Sequence, residues 1–168
     1  MRIENYISDL LYRYECVTVP GFGSFITQYQ PAKVHHNTNA FYPPSKSIAF
    51  NEQLKSNDGL LTKYIAEAQN ISYEEASTKI EATVLSWRKS LISKEKIALK
   101  NIGDLWWSED EKILFQPSYH LNYLTSSFGL SSFVSPSITR EELKKEVETL
   151  EEKSEDSNFK PVSKSLVV

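Results

Sequence analysis

The side chains able to perform nucleophilic or metal chemistry are few in this sequence. It has one cysteine, Cys16, and three histidines, of which His35 and His36 are adjacent and His120 is distant. The cysteine and the scattered histidines form no triad-like set, and their spacing is not that of metal ligands. We therefore expect a protein that is not an enzyme and that uses no cofactor, metal or small-molecule substrate.

Basic side chains form a second chemically informative group, because lysine and arginine neutralise the phosphates of nucleic acid. The net charge is −3, so no overall positive field points to nucleic acid. The charges are unevenly spread, however. No acid lies between Glu15 and Glu52, and the segment from Arg88 to Lys100, with both ends included, has five basic residues and one acid. The predicted DNA-binding residues are Lys33, His35, His36, Lys46, Arg88, Lys89, Lys94, Lys96 and Lys100.

A pair of adjacent tryptophans, Trp106 and Trp107, is the third candidate. Neighbouring residues in a strand point to opposite faces, so one indole is expected in the core and the other at the surface. An exposed tryptophan suits a protein interface, although it also suits simple coverage of a helix. The pair is predicted to mark a protein-interaction surface.

The elements that position these candidate side chains are organised around residues 17–25, which predict a strand, a tight turn and a second strand. Pro20-Gly21 is a turn signal, because glycine accepts the positive φ that other residues resist. Residues 2–14 have the spacing of an amphipathic helix. Residues 27–40 are polar and predict a hairpin tip or a mobile loop, and residues 41–51 resume extended structure.

The later part of the chain predicts two helices followed by a hairpin. Asp58 is expected to cap the first helix, and Ser72 with Glu75 has the pattern of a capping box before the second. Apolar residues then recur every three or four positions, which is typical of a helix face in the core. A strand is predicted at 97–99 and a hairpin over 105–115.

Three short segments of the first half recur in the second half in the same order. The matched pairs are residues 19–25 with 99–105, Pro44-Ser45 with Pro117-Ser118, and residues 54–60 with 124–130. Each half alone would have a marginal core, whereas a duplicated unit can bury its face against its twin. The repeat predicts a compact pseudo-dimer, formed either within one chain or between chains.

The order of these features over residues 2–135 resembles the bacterial histone-like HU and integration host factor superfamily. The segment Gly21-Phe22-Gly23-Ser24-Phe25 matches the turn of that family, and residues 44–50 resemble the segment that returns from its β-arm. The resemblance implies an α+β fold of tandem HU-like units, each with helices and a three-stranded antiparallel β-hairpin arm. The chain is most similar to tandem HU-like bacterial proteins, which often continue through a linker and a membrane helix to a SPOR domain.

The sequence departs from the DNA-binding members of the family at both arms. Those members carry a basic arm with an Arg-Asn-Pro that wedges between base pairs, and neither arm here has that tripeptide. Pro31 is the nearest proline, but it lies close to the body. The second arm is reduced to residues 108–111, which include three acids, so this half is not expected to grip DNA. The first half has one helix before its strand and is expected to borrow packing from its neighbour.

The predicted domains are a first HU-like unit at 1–58, a second at 59–135, and a charged linker or tail at 136–168. The tail is expected to be disordered. No run of residues is long enough to span a bilayer, so a membrane partner is expected only if a longer chain continues past Val168.

Two functions follow from these predictions. The first is sequence-nonspecific, architectural binding of double-stranded DNA in the cytoplasm, as a nucleoid protein that would tether the chromosome to the envelope in a longer form. The alternative is a scaffold that keeps the HU fold, binds a protein partner or a second copy of itself, and is linked to the envelope or the division machinery. The net charge and the acidic second arm favour the alternative, and the acid-free first arm favours DNA.

Overall fold

The computed structural model describes residues 2–119 and 121–135. His120 and the predicted tail at 136–168 lie outside the described residues. The described part contains three α-helices and three small antiparallel sheets, so the predicted α+β class is confirmed. The described residues fall into two compact units, the first with residues 2–33, 42–119 and 121–132, and the second with Val34–Phe41 and residues 133–135.

The helices and the main strands follow the predicted order, and residues 33–35 and 133–134 form short strands that the sequence did not predict. The helices are α1 (Ile3–Leu11), α2 (Leu60–Gln69) and α3 (Tyr73–Ile92), and a 3₁₀ turn covers Thr125–Ser127. The strands are β1 (Cys16–Val19), β2 (Gly23–Gln30), β3 (Lys33–His35), β4 (Ala40–Tyr42), β5 (Ser45–Asn51), β6 (Ile97–Leu99), β7 (Gly103–Trp107), β8 (Ile113–Pro117) and β9 (Phe133–Val134). The sheets have the orders β1-β2-β5, β3-β4-β9 and β6-β7-β8.

Strands β2 and β5 form a ribbon that is longer than the rest of the first sheet. On the side away from the turn, the pairing of β1 with β2 extends only as far as Cys16, which lies opposite Ile26. The pairing of β2 with β5 continues past that point until Gln30 lies opposite Ser45. The part of β2 and β5 beyond β1, residues 27–30 and 45–48, is called the ribbon below. It supplies the extended arm that the sequence predicts for the first half.

The turns of the two halves repeat each other in conformation. The amide of Phe22 donates to the carbonyl of Val19 at 3.0 Å, and the amide of Ile102 donates to the carbonyl of Leu99 at 3.1 Å. The third position of each turn has a positive φ, +72° at Gly21 and +70° at Asn101. These are features of type II turns, in which glycine or asparagine occupies that position. The duplication therefore holds at the level of the backbone.

The proposed match of Pro44-Ser45 with Pro117-Ser118 is wrong. In the first sheet Phe25 lies opposite Phe50, and in the second Leu105 lies opposite Phe115, so Phe115 is the counterpart of Phe50. Pro117 is the last residue of β8, whereas Pro44 precedes β5. A shared Pro-Ser dipeptide contains no information about strand register. The two hairpins consequently differ in length by more than the sequence alignment indicates.

The two halves share one hydrophobic core within the first unit. Buried residues of α1, β1 and β2 belong to the same cluster as buried residues of α3, β6 and β7. At the centre, the ring of Phe115 lies 5.7 Å from that of Phe25 and 6.3 Å from that of Phe50. Helix α2 contacts both α1 and β1, as expected for a first half that has one helix of its own. The pseudo-dimer is thus formed within one chain.

Helix caps explain where the helices of the second half begin. The amide of Glu75 donates to the hydroxyl of Ser72 at 3.1 Å, which confirms Ser72 as the N-cap of α3. Glu75 pairs with Lys79 at 2.9 Å. Asp58 is not itself the N-cap of α2, which is Gly59 with a φ of +79°. Its carboxylate nevertheless accepts a hydrogen bond from the Leu60 amide at 3.0 Å, so it satisfies a free donor of that helix.

Tyr123 joins the end of the second half to the first helix. Its side chain is buried, and its ring lies 4.7 Å from that of Tyr12. The Tyr123 hydroxyl donates to the carbonyl of Asn101 at 3.1 Å and lies 2.9 Å from the hydroxyl of Ser8, which then acts as donor. Burial raises the pKa of Tyr123 above 10.0, because the phenolate would be poorly solvated, while the Ser8 hydrogen bond acts in the opposite direction.

Replacing Tyr123 with phenylalanine is expected to lower the free energy of unfolding by about 1–3 kcal/mol, since the buried Ser8 hydroxyl and the partly buried Asn101 carbonyl lose their partner. The native protein should also lose stability as pH rises above 10.0, because the unfolded state releases the phenolic proton first. The Tyr123→Phe variant has no phenol at this position, so it should not show the loss of stability at alkaline pH that this phenol causes. Urea unfolding between neutral and alkaline pH measures both effects, and parallel pH profiles for the two proteins would contradict the assignment.

The second unit is a small sheet of its own. Strand β9 pairs with β4, with Ala40 opposite Val134 and Phe41 opposite Phe133. The rings of Phe41 and Phe133 stack at 4.9 Å with an angle of 2° between their planes. The tip of the first arm is therefore paired with the segment that follows the second half, which the sequence did not predict.

Candidate nucleic-acid interface

The ribbon carries two of the predicted DNA-binding residues, Lys33 next to its end and Lys46 within β5. The ammonium group of Lys33 donates to the side-chain carbonyl of Gln30 at 3.3 Å, which leaves its charge uncompensated. Neither lysine forms an ion pair with any described residue. Because no acid occurs from Cys16 to Asn51, the ribbon has an uncompensated positive charge.

The base of the ribbon is held in place by Asn122. The Asn122 side-chain oxygen accepts from the backbone amides of Lys46 at 3.1 Å and Leu124 at 3.0 Å. Its side-chain nitrogen donates to the carbonyl of Pro44 at 3.0 Å. This asparagine uses both ends of its amide, so the start of β5 has a fixed position relative to the segment after β8. The sequence offered no signal for this role, because the partners are distant in the chain.

His35 and His36 belong to the second unit. His35 ends β3, and its carbonyl accepts from the amide of Thr38 at 3.2 Å in the turn that leads to β4. Both imidazoles are exposed. Their contribution to DNA binding stays a prediction.

The basic residues from Arg88 to Lys100 differ in whether a neighbouring group binds or compensates their charge. The guanidinium of Arg88 donates to the backbone carbonyl of Gly21, so it joins α3 to the first turn. The ammonium of Lys96 lies 2.7 Å from the carboxylate of Asp104, which compensates its charge. Lys89, Lys94 and Lys100 have no ion-pair partner among the described residues.

The two tryptophans lie on opposite faces of β7, as the alternation of a strand requires. Trp107 packs against the hydrophobic core with Ile113 and Phe115. Trp106 lies on the outer face opposite Leu114, and the Lys96 ammonium is 5.7 Å from its ring centre. A cation at this distance over an indole is weakly attractive. Trp106 is therefore the member of the pair that remains available to a partner.

Replacing Trp107 with alanine is expected to destabilise the protein by about 3 kcal/mol, because an indole that packs against the core is removed. Replacing Trp106 with alanine should lower the free energy of unfolding by about 1 kcal/mol or less, since the change removes only a partly exposed contact and a weak cation–π interaction. Chemical denaturation of the two single variants measures the difference. Equal losses would contradict the assignment of the two indoles to different faces.

The tip of the second hairpin is acidic. The amide of Ser108 donates to the carbonyl of Lys112 at 2.8 Å and closes a short turn that contains Glu109, Asp110 and Glu111. All three carboxylates are exposed. Such a tip repels phosphate, and the expectation that the second arm does not grip DNA stays a prediction.

The described residues contain neither a metal-binding cluster nor a membrane-spanning helix. Outside His120 and the tail, no group of three or more His, Cys, Asp and Glu side chains could hold a metal ion. None of the helices among the described residues has the length and apolar character needed to cross a membrane.

Comparison with protein families matches both halves of the chain. Residues 1–58 match a family model described as CCDC81-like prokaryotic HU domain 1. Residues 59–128 match the model described as CCDC81-like prokaryotic HU domain 2. Searches of curated proteins and of solved structures give no significant match.

Proposed function

Because the chain belongs to the CCDC81-like prokaryotic HU family and contains both of its domains in tandem, we propose that it is an architectural protein that binds double-stranded DNA without sequence preference. The observation that carries this proposal is the ribbon with Lys46 on it and Lys33 just beyond its end, because neither lysine has an ion-pair partner among the described residues. A two-stranded ribbon fits a groove of DNA, and lysines beside it can neutralise phosphates.

The binding surface is asymmetric between the two halves. The first half presents the ribbon, whereas the second presents a short hairpin with three exposed carboxylates at its tip. Lys89, Lys94 and Lys100 supply further positive charge outside the ribbon. We therefore propose that the first arm makes the main contact with DNA and that the second half mainly completes the core.

Titration of two labelled duplexes of unrelated sequence tests this proposal. We expect the wild-type protein to bind both at low salt with affinities that agree within about threefold, because phosphate contacts contain no sequence information. A strong preference for one sequence would contradict the nonspecific part of the proposal. Absence of binding to both would contradict the proposal as a whole.

A protein-interaction scaffold is the second candidate function, and the outer face of the second sheet favours it. Trp106 and Leu114 lie opposite each other there, next to the acidic hairpin tip. Leu114 is exposed and Trp106 is half-buried, and such an aromatic and aliphatic pair suits a second copy of the chain or another protein. Sedimentation equilibrium tests the self-association version, in which a wild-type dimer should become a monomer in the Trp106→Ala variant.

We also propose a cytoplasmic location, where the chromosome lies, and a link between DNA and the envelope in a longer form of the chain. Both rest on the family resemblance alone. Fractionation of native cells tests them. Recovery of the protein in the cytoplasmic or inner-membrane fraction together with DNA is expected, and recovery outside the inner membrane would contradict both.

A further inference from the structure

A groove of about 350 Å³ lies in the first unit, at the base of the ribbon. One side is formed by ribbon residues and their continuation, including Lys33 and Lys46, and the other by residues after β8, including Asn122. Among the residues that the structure describes, no aspartate or glutamate lines the groove. The two ammonium groups therefore favour a negatively charged ligand.

Two exposed aromatic rings line the same groove. Tyr42 is 49% exposed and Tyr119 is 82% exposed, which are high values for such large rings. The hydroxyl of Tyr119 accepts from the side-chain amide of Gln116 at 3.3 Å, which restrains the ring while its faces stay accessible. An accessible tyrosine ring is a surface on which a nucleobase can stack.

Hydrogen bonds within the protein hold the framework of the groove. Asn122 bonds to the backbone of Lys46 and Pro44, so two hydrogen bonds connect the two walls, and a third, from the Leu124 amide, lies within one wall. Prolines at positions 31, 43 and 117 further restrict the backbone of the lining segments. A preformed site loses little free energy to ordering when it binds.

From this combination we infer that the groove binds single-stranded DNA. Lys33 and Lys46 contact the phosphates, and unpaired bases stack on Tyr42 and Tyr119. The inference rests on the proposed function, because both use the same two lysines. It adds a second mode of binding, since bases within a duplex are already stacked on each other and do not offer their faces to tyrosine. An acidic peptide has the same charge, but it lacks the planar faces that two exposed tyrosine rings favour.

The test compares a labelled oligothymidine of about twelve nucleotides with a duplex of the same length, both measured by fluorescence anisotropy. The test variant is Tyr42→Leu/Tyr119→Leu. The matched control is Tyr14→Leu, because Tyr14 is also exposed, at 45%, and lies outside both the ribbon and the groove lining. Loss of stacking should weaken oligothymidine binding about tenfold or more in the double variant and change duplex binding less than about twofold. The control should bind both probes like the wild type.

Each other outcome overturns the inference or separates it from the proposed function. Oligothymidine binding that is absent, or that is unchanged in the double variant, overturns it whether or not the duplex binds. Tyrosine-dependent binding of oligothymidine without duplex binding supports the groove and contradicts the proposed function. Tyrosine-dependent binding of a labelled proline–glutamate peptide, without oligothymidine binding, would assign the groove to a protein ligand and overturn the inference.

Discussion

Replacing Gly103 with alanine is expected to destabilise the protein by about 3 kcal/mol or more. Gly103 has a φ of +149° and lies where β7 passes β8. A Cβ atom there would collide with the backbone carbonyl oxygen of Gln116 and would approach the ring of Phe115 to 2.8 Å. Since a backbone atom cannot move away without breaking the strand pairing, the second sheet would have to shift. Denaturant unfolding measures the loss.

Gly21→Ala is the matched control for this prediction. Gly21 also has a positive φ, +72°, but an added Cβ would meet no atom within 4 Å. Its replacement should cost only the backbone strain of about 1–2 kcal/mol. If both variants lost the same stability, the close approach of the two strands at Gly103 would not be the reason for glycine there.

Reversing the charge of Lys33 and Lys46 together, as Lys33→Glu/Lys46→Glu, is expected to weaken duplex binding more than tenfold at low salt. The change removes two phosphate contacts and adds two repulsive carboxylates to the ribbon. Neither side chain has an ion-pair partner among the described residues, so folding should be little affected. Anisotropy titration with a labelled duplex measures the affinity, and circular dichroism checks the fold.

The control for this prediction has the same change in net charge elsewhere on the protein. Lys63 and Lys112 are exposed and lie on α2 and at the second hairpin, away from the ribbon. Their joint replacement by glutamate should reduce affinity less than about threefold through long-range charge alone. If the two double variants lost affinity equally, net charge rather than the ribbon would govern binding.

Local features of the fold could be predicted from the sequence because their causes are local. Ser72 caps α3 through a backbone amide three residues away, and Pro20-Gly21 needs only its neighbours to form a turn. The shared order of helix, strand and turn in the two halves likewise predicted the duplicated core. Strand register was not predicted, because Pro44 and Pro117 look equivalent until Phe50 and Phe115 are seen in their sheets.

The candidate site was harder to predict, because charge compensation depends on distant residues. Nothing in the sequence pairs Lys96 with Asp104 or directs Arg88 to the Gly21 carbonyl, and the latter two are far apart in the chain. Tyr42 and Tyr119 were not singled out, since each is an ordinary surface tyrosine until the fold brings both to one groove. The alternation of residues in a strand was sufficient to place Trp106 and Trp107 on opposite faces.

If the fold binds DNA through phosphate neutralisation, its affinity must depend on salt, and a salt series with a labelled random-sequence duplex measures this dependence. We predict micromolar binding at low salt, with log affinity falling linearly against log salt at a slope of about −2 to −4, as expected for a few lysine–phosphate contacts. Binding that is absent at low salt, or that is indifferent to salt, would contradict the account.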